Sequence, residues 1–203
     1  MGALEGFLHD KHVRTPPLLK AALSHVQFET IHPFLDGNGR VGRLLITLLL
    51  CADGVLTEPL LYLSLYFKRH RARYYELLDA VRRGGDWEAW VAFFVEGVAE
   101  SAETAVRTAR RLVGVAERDR DRVHRLGRRA GSAALVHQAL QRLPVCTIPR
   151  LARQTRLTLP TIAKALDVLV ELGVVDEITG KQRHRVYRYD GYMKILSEGT
   201  EPL

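Results

Sequence analysis

The segment that most constrains this chain is the glycine-rich stretch HPFLDGNGRVGR, residues 32–43, together with the apolar run LLITLLL that follows it. Gly37 and Gly39 allow positive φ and close approach of the backbone. Residues 40–53 are apolar on nearly every helical face, which is typical of a buried helix. The pattern predicts a glycine loop that opens directly into a central, buried helix.

Helical periodicity also dominates the chain on both sides of that loop. Segment 16–31 has apolar residues near helical spacing after a proline, and segment 59–84 indicates one or two helices rich in aromatic residues and arginine. Asp86 is a plausible N-cap for a helix that begins at Trp87 and continues to about residue 128. Since no strand signal occurs before residue 144, the fold class predicted is mainly α, with an all-helical core over residues 1–128 that ends in a long helix.

A second domain is predicted over residues 129–203. Two short helices are followed by Thr158-Leu159-Pro160, which combines an N-cap with proline in the first turn and opens a third helix that Gly173 ends. Two β-like runs, VVDEIT and HRVYRYD, follow and are joined by GKQR. Three helices and a β-hairpin in about 60 residues are typical of a small winged helix-turn-helix domain.

Charge distinguishes the two parts of the chain. The net charge of the chain is +7, but residues 1–100 carry 11 Lys/Arg against 12 Asp/Glu, whereas residues 101–203 carry 19 against 11. This asymmetry indicates either a polyanion as partner of the second half or a solvated basic surface, and charge alone does not choose between them. The apolar runs are too short for a membrane span and the N-terminus lacks a signal-peptide pattern, so we expect a cytoplasmic protein with no membrane partner.

The glycine-rich stretch combines groups that suit phosphate chemistry. Consecutive N–H groups at a helix N-terminus bind anions, and two guanidiniums, Arg40 and Arg43, project from the first turns of that helix. Asp36 could hold Mg²⁺ bound to the same phosphates, and the imidazole of His32 could act as general base near neutral pH. DGNG alone is a common turn, and two arginines alone could be a solvated helix start. The co-occurrence of all these groups in order indicates attack by a hydroxyl on a nucleotide phosphate.

The same stretch resembles the signature of the Fic family, His-x-Phe-x-(Asp/Glu)-Gly-Asn-Gly-Arg-x-x-Arg, and every fixed position is present. The flanks SHVQFETIHPF and PLLYLSLYFKRHRARYYELL are similar to that family as well. The tail LVELGVVDEITGKQRHRVYRYDGYMKIL resembles the winged helix at the C-terminus of many bacterial Fic proteins. The resemblance implies a Fic-like helical core that transfers AMP from ATP to a Ser, Thr or Tyr hydroxyl of a target protein.

The resemblance also implies a role for each residue of the signature. His32 would deprotonate the target hydroxyl, Asp36 would ligate Mg²⁺, and Phe34 would anchor the loop in the core. The nucleotide phosphates would be bound by the amides of the loop, by the Asn38 side chain, by Arg40 at the β-phosphate and by Arg43 at the γ-phosphate; the binding set is Gly37, Asn38, Gly39, Arg40 and Arg43. A phosphotransferase branch has Lys at the position of Gly39, so glycine there favours AMP transfer.

Two usual Fic elements are not recognised in this sequence. No β-hairpin flap precedes His32, and the inhibitory (Ser/Thr)-x-x-x-Glu-(Gly/Asn) motif is missing, since Ala92 and Lys194 stand where Glu96-Gly97 and Glu198-Gly199 would need Ser or Thr. We therefore expect a core trimmed at its front, in which target docking is affected more than ATP binding. Apolar surface left open on the first helices would be covered by a homodimer.

Two further groups of side chains leave alternatives open. His25 and Glu29 lie one helical turn apart before the loop and suggest either a metal site or a structural role; we favour the structural role because Mg²⁺ prefers oxygen ligands. The aromatic residues of segment 59–84 are predicted to be mainly core, with one or two lining the nucleotide pocket.

The main alternative function is a DNA-binding transcriptional regulator of winged-helix type whose Fic core only binds nucleotide; a third is a scaffold that binds ATP without transferring AMP. The winged-helix interpretation places possible contacts to duplex DNA on the recognition helix, just before it, and on the wing. The same fold also serves protein interaction. The candidate DNA contacts are Arg153, Arg156, Thr161, Lys164, Lys181, Arg183 and Arg185.

Overall fold

The computed structural model describes residues 1–10, 14–127 and 130–198, and over these ranges the mainly α-helical fold is confirmed. The described residues form ten helices and three short strands. In chain order they are α1 Gly2–His9, α2 Pro17–Ile31, α3 Asn38–Ala52, α4 Leu63–Arg69, α5 Arg71–Gly84, α6 Trp87–His124, α7 Ala130–Arg142, β1 Val145–Thr147, α8 Ile148–Thr155, α9 Leu159–Glu171, β2 Val175–Glu177, β3 Val186–Tyr189 and α10 Asp190–Ser197.

The chain divides into two compact units, Met1–Val106 and Arg107–Leu203. The domain boundary predicted between residues 128 and 129 lies outside the described residues. The division into a core over 1–128 and a second domain over 129–203 therefore stays a prediction.

The core of the first unit is aromatic. Trp90 and Phe94 on α6 are fully buried and pack with Phe67 of α4 and Tyr74 of α5. The predicted N-cap of α6 is confirmed, because Asp86 Oδ1 accepts a hydrogen bond from the N–H of Ala89 at 3.2 Å. Each buried large side chain contributes roughly 1.5–3 kcal/mol through removal of apolar surface from water, and this cluster therefore anchors the helices that carry the glycine loop.

α3 is only partly the buried helix that its composition predicted. Ile46 and Leu50 are fully buried on one face, whereas Leu44 and Leu48 are 56% and 55% exposed on another. The prediction of a helix buried all round was wrong, because the described residues that pack against α3 cover one face and leave Val41, Leu44 and Leu48 open.

In the second unit α7, α8 and α9 are followed by the antiparallel pair β2–β3, so the predicted elements occur in the predicted order. The side chain of Thr158 caps α9 by accepting from the N–H of Thr161 at 3.4 Å. The sequence did not predict β1, which pairs with β3 to give the sheet order β1-β3-β2, or α10. The winged-helix assignment itself stays a prediction.

The described helices do not include one that is both long enough and apolar enough to cross a membrane. The longest, α6, extends over 38 residues but carries charged side chains along its length.

Candidate functional site

His32 lies at the junction between α2 and the glycine loop. It is the C-cap of α2, with φ 49° and ψ 58°, and its N–H donates to the carbonyl of Phe28 at 3.0 Å. A left-handed conformation is uncommon for a residue with a side chain, more so before a proline such as Pro33. Backbone strain of this kind is concentrated at functional sites. The turn leaves the imidazole exposed at the mouth of the loop.

Gly37 and Gly39 each make room for one arginine, for different physical reasons. Gly37 adopts φ 82°, a conformation that favours glycine, and a Cβ there would lie 3.4 Å from Nη2 of Arg40. Gly39 lies within α3 at a φ that any residue adopts, but a Cβ there would lie 3.2 Å from Nη1 of Arg43. Both guanidiniums therefore fold back over the first turn of α3, where N–H groups have no acceptor within the helix.

This arrangement, called the cradle below, combines three features that attract anions in proteins: backbone N–H groups, the positive end of a helix dipole and two guanidiniums. The N–H of Gly37 is engaged, since it donates to Oδ1 of its neighbour Asp36 at 2.6 Å. The N–H groups of Asn38 and Gly39 lie in the first turn of α3. The structure thus brings together Gly37, Asn38, Gly39, Arg40 and Arg43, the five residues predicted to bind phosphates.

The Asn38 side chain holds the loop in shape. Its Oδ1 accepts from the N–H of Phe34 at 2.9 Å and its Nδ2 donates to the carbonyl of Phe34 at 2.6 Å. The side chain expected to support the phosphates is thus used within the loop, and the residue is buried. The expectation that Phe34 anchors the loop in the core was wrong, because Phe34 is 51% exposed and its ring makes only a tilted contact with Phe28, at 6.2 Å between centroids. The two hydrogen bonds between the Asn38 side chain and the Phe34 backbone anchor the loop instead.

Asp36 faces solvent at the same loop. One carboxylate oxygen accepts from Gly37, and the other lies 3.4 Å from Nη2 of Arg40 in an exposed ion pair. Three His, Cys, Asp or Glu side chains do not converge anywhere in the parts of the chain that are described. A single exposed carboxylate next to a phosphate cradle fits Mg²⁺, which is usually held by one or two carboxylates together with the phosphates of its substrate.

A buried layer supports the cradle from α2. His25 is fully buried, stacks on Phe67 and Trp90 at 5.7 and 5.8 Å, and shares a hydrogen bond of 2.9 Å with the Tyr74 hydroxyl. Burial lowers the pKa of His25 to about 4, so it is neutral at physiological pH. Glu29 is also buried, and burial raises its pKa against the opposing charge of Arg43. The structural role favoured for His25 agrees with these contacts.

The tyrosines of the helices after α3 separate into two groups. Tyr66 and Tyr74 are buried in the aromatic core, while Tyr62 and Tyr75 are 61% and 56% exposed. The guanidinium of Arg71 lies over the Tyr75 ring at 5.8 Å. The described contacts do not assign an adenine pocket to either exposed tyrosine.

The candidate DNA contacts lie on the second unit, and most of them are exposed. Arg153 is on α8, Arg156 is its C-cap with φ 60°, and Lys164 is on α9. The half-buried Thr161 has its hydroxyl 2.8 Å from that of Thr158 and belongs to the helix cap. Lys181, Arg183 and Arg185 follow β2 and are exposed.

Arg185 has a structural contact in addition. Its Nε donates to the carbonyl of Lys181 at 3.1 Å, which closes the turn between β2 and β3. A phosphate contact by Arg185 would therefore compete with its role in the turn, whereas none of the described residues makes such a contact with Arg183.

Sequence reasoning missed two residues that shape this region, Arg82 and Gly42. Arg82 of α5 donates from Nη2 to the carbonyl of Glu29 at 2.8 Å and so holds the end of α2 from which His32 emerges. Gly42 packs so closely that a Cβ there would lie 2.5 Å from Oε1 of Glu29. A glycine inside an otherwise apolar helix was the available signal of this close packing. Arg82 gave no signal, because its partner lies 53 residues away.

Comparison with known proteins agrees with this geometry. The model of the Fic/DOC family matches residues 1–50, which contain the whole glycine loop. Curated relatives from Drosophila erecta and Culex quinquefasciatus, both called "Protein adenylyltransferase Fic", are each 36% identical over 97 residues, covering 47% of this chain and 18% of the relative. The chain thus spans less than a fifth of the length of these relatives.

A solved structure is similar at lower identity. It is the crystal structure of a Fic family protein from Desulfovibrio desulfuricans G20, which is 22% identical and matches with a TM-score of 0.49 over 93% of this chain and 53% of that chain.

Proposed function

We propose that this chain is a Fic family protein and that it transfers AMP from ATP to a hydroxyl group of a target protein. The observation that carries the proposal is the pair of guanidiniums, Arg40 and Arg43, folded over two glycines at the N-terminus of α3, directly after His32. A cradle of this length and charge suits a polyphosphate better than a single carboxylate.

Each step of the transfer has a residue of this chain to perform it. His32 accepts the proton of the target hydroxyl, whose oxygen bonds to the α-phosphorus of ATP. The bond from that phosphorus to the oxygen that bridges to the β-phosphate breaks, and pyrophosphate leaves. Arg40 and Arg43 hold the β- and γ-phosphates and neutralise the charge that develops on the leaving group.

Mg²⁺ would be held by Asp36 and by the phosphates, and when bound it would offset their negative charge. Asp36 is free to turn toward a ligand because its contacts with Gly37 and Arg40 are at the surface. A substitution of Asp36 should therefore raise the Mg²⁺ concentration required for activity while leaving the fold unchanged.

Gly39 supports AMP transfer over transfer of the γ-phosphoryl group. The space over Gly39 is taken up by the Arg43 guanidinium, so a lysine side chain there would displace this arginine. Glycine therefore keeps the orientation of the nucleotide in which the α-phosphate faces the base.

The test uses ATP labelled either at the α- or at the γ-phosphate, with the protein, Mg²⁺ and a mixture of candidate target proteins. We expect transfer of the α label only, and a loss of about 10²–10⁴-fold in His32→Ala. Equal α labelling by His32→Ala would remove the general-base role. Transfer of the γ label would replace AMP transfer with kinase chemistry.

DNA binding by the second unit is the second candidate function. It is supported by the net charge of +8 over residues 101–203 and by the exposure of the candidate contacts Arg153, Lys164, Lys181 and Arg183. Binding to duplex DNA should weaken steeply with salt, and neutralising Lys181 and Arg183 should reduce the salt slope by about 2. Arg110→Gln with Arg142→Gln, two exposed charges elsewhere on this unit, is the matched control. No binding at low salt would remove this candidate.

We also propose that the protein forms a homodimer and is located in the cytoplasm. The exposed apolar positions Val41, Leu44 and Leu48 on α3 are consistent with a covered face, and sedimentation velocity of wild type against Leu44→Lys tests it. A monomeric wild type would remove the homodimer.

A further inference from the structure

Glu29 is a buried acidic residue that has no role in the reaction proposed above. It lies on α2, one turn before His32, and is 7% exposed. Its Oε1 atom is inaccessible to solvent and has no hydrogen-bond partner among the described residues. A buried carboxylate oxygen without a partner is costly, so its retention here calls for a function.

The position of this oxygen is defined by two glycines of α3. A Cβ on Gly42 would lie 2.5 Å from Oε1, so the carboxyl group rests directly against the helix backbone. A Cβ on Gly39 would lie 3.8 Å from the same Oε1 and 3.2 Å from Nη1 of Arg43. The Glu29 carboxyl and the Arg43 guanidinium therefore both lie within 4 Å of the same Cβ position of Gly39.

The charges around Glu29 indicate the same pairing. Burial raises its pKa, and among the charges that oppose this effect Arg43 is the strongest, ahead of His32 and Arg82. Arg82 is already engaged with the carbonyl of Glu29 and the hydroxyl of Thr30. Arg43 has no ion pair among the described residues, so its guanidinium lies near the Glu29 carboxyl group without direct contact and is not held by another acid.

Guanidinium geometry allows Arg43 to serve both partners. It has five N–H donors in a planar fork, so one edge can face a carboxylate while the other faces a phosphate. A carboxylate behind an arginine removes rotational freedom from the guanidinium and fixes the direction of its outer edge.

We propose that Glu29 is the positioning residue for Arg43: the charge of its buried carboxyl group attracts the guanidinium, so that the outer edge of the guanidinium meets the terminal phosphate of the nucleotide. This inference rests on the proposed function, because it assigns Arg43 to the γ-phosphate. It goes beyond the glycine-loop signature, since Glu29 lies on the preceding helix and outside that signature.

The experiment measures binding of ATP and of ADP by calorimetry, which does not require a target protein or turnover. Two variants separate the properties of the side chain: Glu29→Gln removes the charge but keeps an acceptor, and Glu29→Met removes both in an apolar chain of similar length. Glu88→Gln, an exposed carboxylate on α6, is the matched control. Tryptophan fluorescence confirms folding, because Trp90 is buried beside His25.

We expect Glu29→Met to weaken ATP binding about tenfold, Glu29→Gln to weaken it less, and both to leave ADP binding unchanged. Adding Glu29→Met to Arg43→Ala should cause no further loss, since the two residues act as one unit. Glu88→Gln should behave as wild type.

Three results would overturn the proposal. An unchanged ATP affinity in both Glu29 variants, with a wild type that prefers ATP to ADP, would remove the role of Glu29 and leave the proposed function in place. An equal loss for ATP and ADP would make Glu29 a packing residue only. A wild type that binds neither nucleotide would overturn the proposed function together with this inference.

Discussion

Acidification should destabilise the first unit through one buried histidine, His25. Burial lowers its pKa from 6.5 to about 4 in the folded protein. Because the folded value lies below the unfolded one, the stabilising contribution is complete above about pH 6.5 and is lost as the pH falls through the window from 6.5 to 4. At about 1.36 kcal/mol per pKa unit, the free energy of unfolding should fall by about 3 kcal/mol over that window.

The pairing of His25 with Tyr74 supplies the variant that isolates this effect. Glutamine at position 25 keeps a donor and an acceptor near the Tyr74 hydroxyl but does not gain a proton in this range. Other groups also titrate: Glu29 has a raised pKa, so its contribution has the opposite sign and grows on acidification. The measured quantity is therefore the difference in pH dependence between wild type and His25→Gln.

Tryptophan fluorescence during urea unfolding is the assay, because both tryptophans of the chain, Trp87 and Trp90, lie in the first unit. Between pH 7 and pH 4 the free energy of unfolding of wild type should fall about 3 kcal/mol more than that of His25→Gln. His9→Gln, at an exposed position on α1, is the control and should follow wild type. Parallel curves for wild type and His25→Gln would refute the argument that His25 is held neutral by burial.

Three further predictions concern glycine packing and a buried network. Gly97→Ala should lower the free energy of unfolding by about 1–3 kcal/mol, since its Cβ would lie 2.5 Å from Cδ1 of Tyr66. Gly114→Ala on the same helix would place its Cβ more than 4 Å from the side chains and backbone of other described segments, and should stabilise the protein by up to about 1 kcal/mol. Equal urea midpoints for the two variants would contradict this. Gly39→Ala should displace Arg43 and so raise the KM for ATP several-fold, while the thermal unfolding temperature stays unchanged. A loss of stability without a change in KM would contradict the cradle geometry. Tyr189→Phe should lower the free energy of unfolding of the second unit by about 1–3 kcal/mol, because Asp119 Oδ2 and His137 Nε2 each lose the Tyr189 hydroxyl as a partner, at 2.9 and 3.1 Å. Unchanged hydrogen exchange in α7 and β3 would argue against this hydrogen-bond network.

Much of the fold followed from local pattern. The helix over residues 16–31, the Asp86 cap of α6, the Thr158 cap of α9 and the pair β2–β3 each depend on residues close together in sequence. The strand β1 was missed because three residues carry no periodic signal, and its ladder depends on β3, more than 35 residues later. The exposed face of α3 was missed for a related reason: the apolar composition of a helix does not show which other helices pack against each of its faces.

The candidate site divides in the same way. The sequence determined its chemical inventory, namely a histidine before the loop, one carboxylate, two glycines around Asn38 and two arginines three residues apart, because those groups are adjacent in the chain. The tertiary structure decided their arrangement: Asn38 closes the loop on Phe34, and each guanidinium lies over its own glycine. Only the packing of α2 on α3 brought Glu29 close to Arg43 and buried its carboxyl group, which raises the pKa of that group, since burial depends on contacts between segments that sequence spacing does not specify.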